Sequence, residues 1–172
     1  MDIATFLALA MACAPQVHAD TVRAIVAVES AFNPYAIGVV GGVLARQPMN
    51  LAEALATVKA LHAAGWSYSV GLGQINVANF QRLGLTTDSA FDPCTSLGAM
   101  QSVLGECHDR ATASTDPQAA LRKALSCYYS GNFTTGFRLG YVRRVVSASL
   151  PAPDRTINPR GARPSSRQES SS

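Results

Sequence analysis

An all-α domain followed by a disordered C-terminal tail is the fold class this sequence predicts. Apolar residues recur at helical spacing through most of residues 1–150, and several of these runs carry recognisable start and stop residues. No convincing strand pattern interrupts them. From Pro151 to Ser172 the composition turns to Pro, Ser, Arg and Gly with almost no apolar side chains, which cannot bury enough surface to fold. We therefore expect one domain over 1–150, with a tail over 151–172. A length of 172 residues, 48% of them hydrophobic and 15% charged, suits one sizeable core.

The elements follow in order. Ile3, Phe6, Leu7 and Ala10 share a helical face and predict a first core helix. The same run ends in Ala12-Cys13-Ala14, which resembles a signal-peptide cleavage site, yet no Lys or Arg precedes it and Asp2 begins it. It is too short to span a bilayer and nothing longer follows, so no transmembrane segment is expected. Asp20 or Thr21 can cap a second helix, and Asn33-Pro34 stops it. Tyr35 to Met49, with Gly38, Gly41, Gly42 and Pro48, reads as a loop or short irregular hairpin. Asn50 and Glu53 form a capping box ahead of Leu51, Leu55, Val58 and Leu61, and Gly65 marks the stop.

A loop over Trp66–Asn76 leads into a helix over Val77–Leu83. Asp92-Pro93 starts a long helix with Leu97, Met100, Val103, Leu104 and Cys107 on one face, and Glu106 and Asp109 toward solvent. Asp116-Pro117 starts another, carried by Leu121, Ala124, Leu125 and Tyr128 to Tyr129 and broken at Ser130-Gly131-Asn132. A last helix is expected from about Thr135 to Ala148, with Phe137, Tyr141, Val142, Val145 and Val146.

Two stretches carry chemistry. Val22, Ile25 and Val26 recur at helical spacing, and the next position on that face is Glu29. A carboxylate placed among core side chains is costly to ionise, so its pKa rises. A carboxylic acid still protonated near neutral pH suits acid-catalysed bond cleavage. In the alternative reading, Glu29 rotates to the rim and meets water or an arginine. The second stretch, W-S-Y-S-V-G-L-G-Q-I-N over Trp66–Asn76, combines aromatics, glycines and amides. Glycines admit close backbone approach, and Gln74 and Asn76 offer donors and acceptors to a neutral polar ligand such as a sugar. The plainer reading is a packed turn.

Other classes find little support. A net charge of +3 is too mild to indicate nucleic acid. There is no Gly-rich phosphate loop, no zinc-like clustering and no repeat, and His18, His62 and His108 are scattered. No cofactor or metal is expected. Cys13, Cys94, Cys107 and Cys127 allow three pairings or buried thiols. Cys94 and Cys107 flank one predicted helix, where thirteen steps of ~1.5 Å separate them by roughly 20 Å. A disulfide needs Cα atoms within about 7 Å, so that pairing is excluded while Cys107 with Cys127 stays open.

Glu29-Ser30 at a helix end, Gly71-Leu72-Gly73-Gln74 in a loop and Tyr129 before Ser130-Gly131-Asn132, in this order, resemble the lysozyme-like lytic transglycosylases. The branch serving type IV secretion and conjugation is most similar, over roughly residues 1–147, including F-N-P-Y-A-I-G over Phe32–Gly38 and C-Y-Y-S-G-N over Cys127–Asn132. The resemblance implies a lysozyme-like helical fold and cleavage of the MurNAc-β-1,4-GlcNAc bond of peptidoglycan, leaving 1,6-anhydromuramoyl ends. It implies that Glu29 is the single acid/base; no second carboxylate lies in the three motifs, and the nearest downstream, Asp88 and Asp92, read as loop or capping residues. Ser30 would hold the glutamate or the N-acetyl group, and Gly71, Leu72 and Gln74 would line the cleft with Asn76 nearby. Tyr129 would place its hydroxyl beside Glu29 or the sugar.

Gly73 departs from the methionine common in the family and removes a side chain from the cleft wall; Ser130 replaces the asparagine after the tyrosine. The implied setting is the periplasm, although no clear export signal accompanies it. The implied partners are glycan strands and the subunits of a secretion channel. Two alternatives remain: a hydrolytic muramidase on the same fold, and a non-catalytic glycan-binding assembly factor.

Overall fold

The computed structural model describes residues 2–111 and 116–150, so the tail expected over 151–172 lies outside the described residues. Helix α1 (Ile3–Cys13) is a core helix: Asp2 accepts from the Thr5 amide at 3.0 Å, and Phe6 and Ala10 are fully buried. Helix α2 (Ala19–Glu29) begins two or three residues before the start that a cap at Asp20 or Thr21 would give. His18 caps it, its Nδ1 accepting from the Asp20 amide at 3.3 Å. Sequence preference for an oxygen cap overlooked this imidazole. Val22, Ile25 and Val26 are fully buried as their spacing requires.

Three short strands correct the expectation that no strand is present. β1 (Ile37–Val39), β2 (Tyr68–Val70) and β3 (Ile75–Asn76) form an antiparallel sheet in that order, with Ile37 opposite Val70 and Ser69 opposite Asn76. Strands of two or three residues are too short to display a period of two, so their pattern is invisible in the sequence. Between β1 and β2 lies α3 (Leu51–Ala63), with the expected Asn50–Glu53 box: Asn50 Oδ1 accepts from the Glu53 amide at 2.9 Å.

Past the sheet, the helix expected over Val77–Leu83 divides into a 3-10 turn (Val77–Asn79) and α4 (Phe80–Leu83). A second 3-10 turn (Ser89–Phe91) leads to α5 (Pro93–Ala111), whose buried face carries Leu97, Met100, Leu104 and Cys107. Helix α6 (Pro117–Ser130) is capped by Asp116, as expected. The single last helix resolves into α7 (Thr135–Arg138) and α8 (Tyr141–Ser149), because Gly140 adopts a left-handed conformation (φ 76°) and breaks the run.

Helices α5 and α6 pack together, and α2 packs against α8 and α1. Disulfides Cys13–Cys94 and Cys107–Cys127 join α1 to α5 and α5 to α6, with Cα separations of 5.2 and 5.7 Å. The excluded Cys94–Cys107 pairing is absent, and the free-thiol alternative is overturned. Among the described residues, no helix is long and apolar enough to cross a membrane.

Candidate active site

Glu29 is the final residue of α2, and the chain reverses immediately after it. Ala31 (φ 48°) and Phe32 (φ 62°) both sit in the left-handed region, where a non-glycine residue costs on the order of 1–3 kcal/mol. Tertiary contacts hold them there. Phe32 meets the buried Phe6 ring edge-on at 5.0 Å, and Asn33 Oδ1 accepts from the Tyr35 amide at 2.9 Å. Buried Ser30 donates its hydroxyl to the Val26 carbonyl at 3.1 Å, so it secures the helix end rather than touching the Glu29 carboxyl directly. The abrupt ending leaves Glu29 partly buried instead of enclosed within a longer helix.

The Glu29 carboxyl has one phenolic partner. Tyr141, the first residue of α8 and only 1% exposed, donates its hydroxyl to Glu29 Oε1 at 2.6 Å. Burial raises the Glu29 pKa from an ordinary 4.5 to about 7, while the Tyr141 hydrogen bond and the charge of Arg144 pull it back. Burial first, and then the neighbouring carboxylate, push Tyr141 far upward, so it remains a donor throughout the accessible pH range. At neutral pH Glu29 therefore divides between acid and carboxylate, the poise that proton transfer in both directions requires.

The hydroxyl bonded to Glu29 belongs to Tyr141 and not to Tyr129, so of the two places expected for the Tyr129 hydroxyl only the one toward the sugar is left. Tyr129, 42% exposed, instead stacks on the Tyr141 ring at 4.6 Å and 16°. Helix α6 continues past it to Ser130, directing the Tyr129 ring across the face of its neighbour. In the sequence Tyr141 is one of the face residues of the last expected helix, with no role in the site. One signal could have identified it: a tyrosine at a core position needs a partner for its hydroxyl.

The 71–74 turn lies in the same electrostatic neighbourhood. Tyr128 donates its hydroxyl to the Gly73 carbonyl, and the charge of Glu29 adds to burial in pushing the Tyr128 pKa up. Gly71 (φ 78°) donates to the Ala36 carbonyl at 3.0 Å; a Cβ there would come within 2.5 Å of the Ala90 carbonyl oxygen. Gly73 donates to the fully buried Ser96 hydroxyl at 3.2 Å. A Cβ at Gly73 would stand 2.9 Å from Met100 Cβ and 3.1 Å from the Tyr128 oxygen. The missing side chain therefore leaves no gap in the wall, because Met100 and Tyr128 occupy the space. The sequence marks Tyr128 only as a helix-face residue and does not single out Ser96, so neither is expected to support the turn.

Leu72 is fully buried, so its side chain belongs to the core and does not line the cleft. Gln74 adopts φ 49°, and its Nε2 donates to the Ala36 and Gly71 carbonyls at 3.0 and 3.1 Å. Gly38 makes room for it, since a Cβ there would be 2.7 Å from Gln74 Oε1. Asn76 donates to the Ser67 and Ser69 hydroxyls at 3.2 and 3.3 Å and accepts from the Ala78 amide at 3.0 Å. Both amides brace the turn instead of offering idle donors to a ligand. Asp92 is occupied with capping, accepting from the Thr95 amide and hydroxyl at 2.8 Å, which lowers its pKa. Among the described residues, no three His, Cys, Asp or Glu side chains gather as metal ligands.

Comparison with known proteins gives this cluster a family. The family described as Transglycosylase SLT domain matches residues 6–147, which includes Glu29, the 71–74 turn and Tyr141. The chain is 49% identical over 151 residues to the type IV secretion system protein virB1 of Brucella suis biovar 1, covering 84% of this chain and 63% of that protein. It is 40% identical over 171 residues to the protein virB1 of Agrobacterium fabrum (strain C58), covering 98% and 67%. With the protein virB1 of Rhizobium radiobacter it shares 40% identity over 161 residues, covering 92% and 66%. The chain thus spans a little under two thirds of the Brucella relative's length. No solved structure matches. A helical domain with a partly buried glutamate at the end of α2, matched over most of its length, this chain belongs to the transglycosylase SLT domain family.

Proposed function

We propose that this domain is a peptidoglycan lytic transglycosylase that cleaves the MurNAc-β-1,4-GlcNAc bond and leaves 1,6-anhydromuramoyl ends. The observation that carries the reading is Glu29 itself: a carboxyl raised to about 7 by burial and oriented by the 2.6 Å hydrogen bond from Tyr141. In this scheme the protonated Glu29 gives its proton to the glycosidic oxygen as the C1–O bond breaks. The C6 hydroxyl oxygen then closes on C1, and the Glu29 carboxylate takes the hydroxyl proton. The acid is regenerated and no water is consumed. One carboxyl suffices, in contrast to the paired carboxylates of hydrolytic glycosidases.

The other site residues support this chemistry by position. Tyr141 orients the carboxyl in both protonation states, and Tyr129 holds the Tyr141 ring by stacking. Gly71, Gly73 and Gln74 form a braced backbone wall, supported by Ser96 and Tyr128. Arg144, 5.9 Å from the Tyr141 ring centroid, keeps the Glu29 pKa from rising further. The name type IV secretion system protein virB1, carried by the Brucella relative, supports a local opening of the cell wall for a secretion or conjugation channel. On this reading the domain works in the periplasm, with glycan strands as substrate and channel subunits as neighbours. Two disulfides accord with an oxidising compartment.

The test is mass spectrometry of the ends released from purified sacculi. The wild type should release anhydromuramoyl ends, while Glu29→Gln should release none and still bind glycan. Reducing ends would instead establish a muramidase. Undiminished lysis by Glu29→Gln would remove Glu29 from the chemistry.

A further inference from the structure

We propose that a cavity on the reverse face of the sheet, between α3 and β2, is a binding site for a short aliphatic carboxylate, separate from the Glu29 site. The cavity has a volume of about 290 Å³, at the small end of the range for ligand pockets. Its apolar lining comes from Leu55 and Val58 of α3 and from Val77 of the first 3-10 turn. Its polar lining comes from Lys59, His62, Tyr68 and Thr87. An apolar wall with a few converging polar groups is the usual make-up of a small-molecule site.

The hydroxyl of Tyr68 is the observation that points to a ligand. Tyr68 is only 2% exposed, and among the described residues its hydroxyl has no hydrogen-bond partner. Leaving a buried hydroxyl unbonded costs free energy. Every fully enclosed polar side-chain atom of the described residues does have a partner. The Tyr68 oxygen must therefore open onto free space, and this cavity is the space that Tyr68 lines. Burial also pushes the Tyr68 pKa up, which keeps the hydroxyl a donor at neutral pH.

All the polar groups of the lining can donate. Lys59 brings an ammonium, His62 a ring N–H in either tautomer, and Tyr68 and Thr87 bring hydroxyls. No Asp or Glu lines the cavity, and among the described residues Lys59 has no ion pair. The complement is an acceptor-rich anion with a short apolar body. Its carboxylate would meet Lys59 and the Tyr68 hydroxyl, and its chain would lie against Leu55, Val58 and Val77. An inorganic anion would leave those apolar side chains without contact, and a neutral hydrocarbon would leave the donors unpaired.

Strand geometry separates this cavity from the reaction centre. Successive side chains of a strand point to opposite faces of the sheet. Ser69 shares a face with Asn76, which donates to its hydroxyl at 3.3 Å, and with Gly38 opposite it, where Gln74 Oε1 packs. Tyr68 and Val70, on either side of Ser69, turn to the other face and are buried. A ligand held there meets α3 and β2 on the side of the sheet away from Gln74 and Asn76.

The experiment is an NMR titration of the full chain at neutral pH with isocaproate, beside its neutral isostere isocaproamide and the bodiless carboxylate acetate. Isocaproate should shift the amide resonances of Leu55, Val58, Tyr68 and Val77 saturably, and each control should bind at least about fivefold more weakly. Tyr68→Phe breaks no hydrogen bond within the described protein, so it should fold normally and weaken binding about tenfold. Lys59→Gln, a surface change that keeps the test open should Tyr68→Phe not fold, should weaken it by up to about fivefold. Absence of saturable shifts would overturn the proposal, as would equal affinity for isocaproamide or acetate, or unchanged affinity in the folded variants. Glu29→Gln should bind isocaproate as the wild type does; loss of binding there would put the ligand in the reaction centre and end the assignment.

Discussion

Replacing Glu29 by Gln should stabilise the domain, and by an amount that depends on pH. The carboxyl titrates near 4.5 in the unfolded chain and at about 7 when folded, because burial disfavours its charge. Below pH 4.5 both states hold the proton and the wild type loses nothing. Between about 4.5 and 7 the unfolded chain releases its proton first, so wild-type stability falls as pH rises. Above 7 the loss is complete. At about 1.36 kcal/mol per pH unit, the total is roughly 3 kcal/mol. Glutamine has the same shape, keeps an oxygen to accept from Tyr141 and does not ionise.

Urea unfolding of both proteins at three pH values measures the difference, in which all other titrating groups cancel. The advantage of Glu29→Gln should grow from under about 0.5 kcal/mol at pH 4.5 to about 2 at pH 6 and about 3 at pH 8. Parallel stabilities across this range would refute the reasoning, since an exposed or fully compensated carboxylate gives no such divergence. The same variant is lytically dead in the proposed mechanism, so stability and activity should move in opposite directions.

Three further predictions follow from the geometry. Tyr141→Phe removes a hydrogen bond that favours the Glu29 carboxylate, so the alkaline limb of kcat/KM should move up by about one pH unit while the maximal rate falls; a limb that stays put or moves down contradicts the pairing. Gly71→Ala combines φ 78° with a 2.5 Å approach to the Ala90 carbonyl and should cost at least about 2 kcal/mol in urea unfolding; a loss below about 0.5 shows the turn to be compliant. Removing the Cys13–Cys94 bridge, which spans 81 residues, should cost about 4.5 kcal/mol, against about 3.3 for Cys107–Cys127 with its span of 20; the reverse order in paired Cys→Ser variants rejects the loop-closure argument.

What could be read directly from the chain was whatever depends on neighbours in sequence. The Asn50–Glu53 box and the Asp116–Pro117 start were legible because each satisfies backbone groups within one turn. Val22, Ile25, Val26 and Glu29 were legible as one face because helical spacing alone aligns them. The break at Gly140 was less so, since a single glycine within an apolar run does not announce a left-handed turn. The 71–74 turn was recognised by its residues but misjudged in detail: Leu72 turns into the core, and the amides of Gln74 and Asn76 are engaged by nearby chain.

The sequence by itself determined the helical class, most helix starts and the carboxylate that stands out of place among apolar residues. Only the tertiary structure decided which phenol meets that carboxylate. Tyr129 and Tyr141 are both tyrosines in the C-terminal third of the domain; the core spacing of Tyr141 calls for a hydroxyl partner, but no local rule names Glu29 as that partner. The packing of α2 against α8 brings Tyr141 to Glu29 across 112 residues of chain. The same packing withdraws water from Glu29 and raises its pKa to about 7. Burial belongs to the assembled core, and so does the acidity it creates.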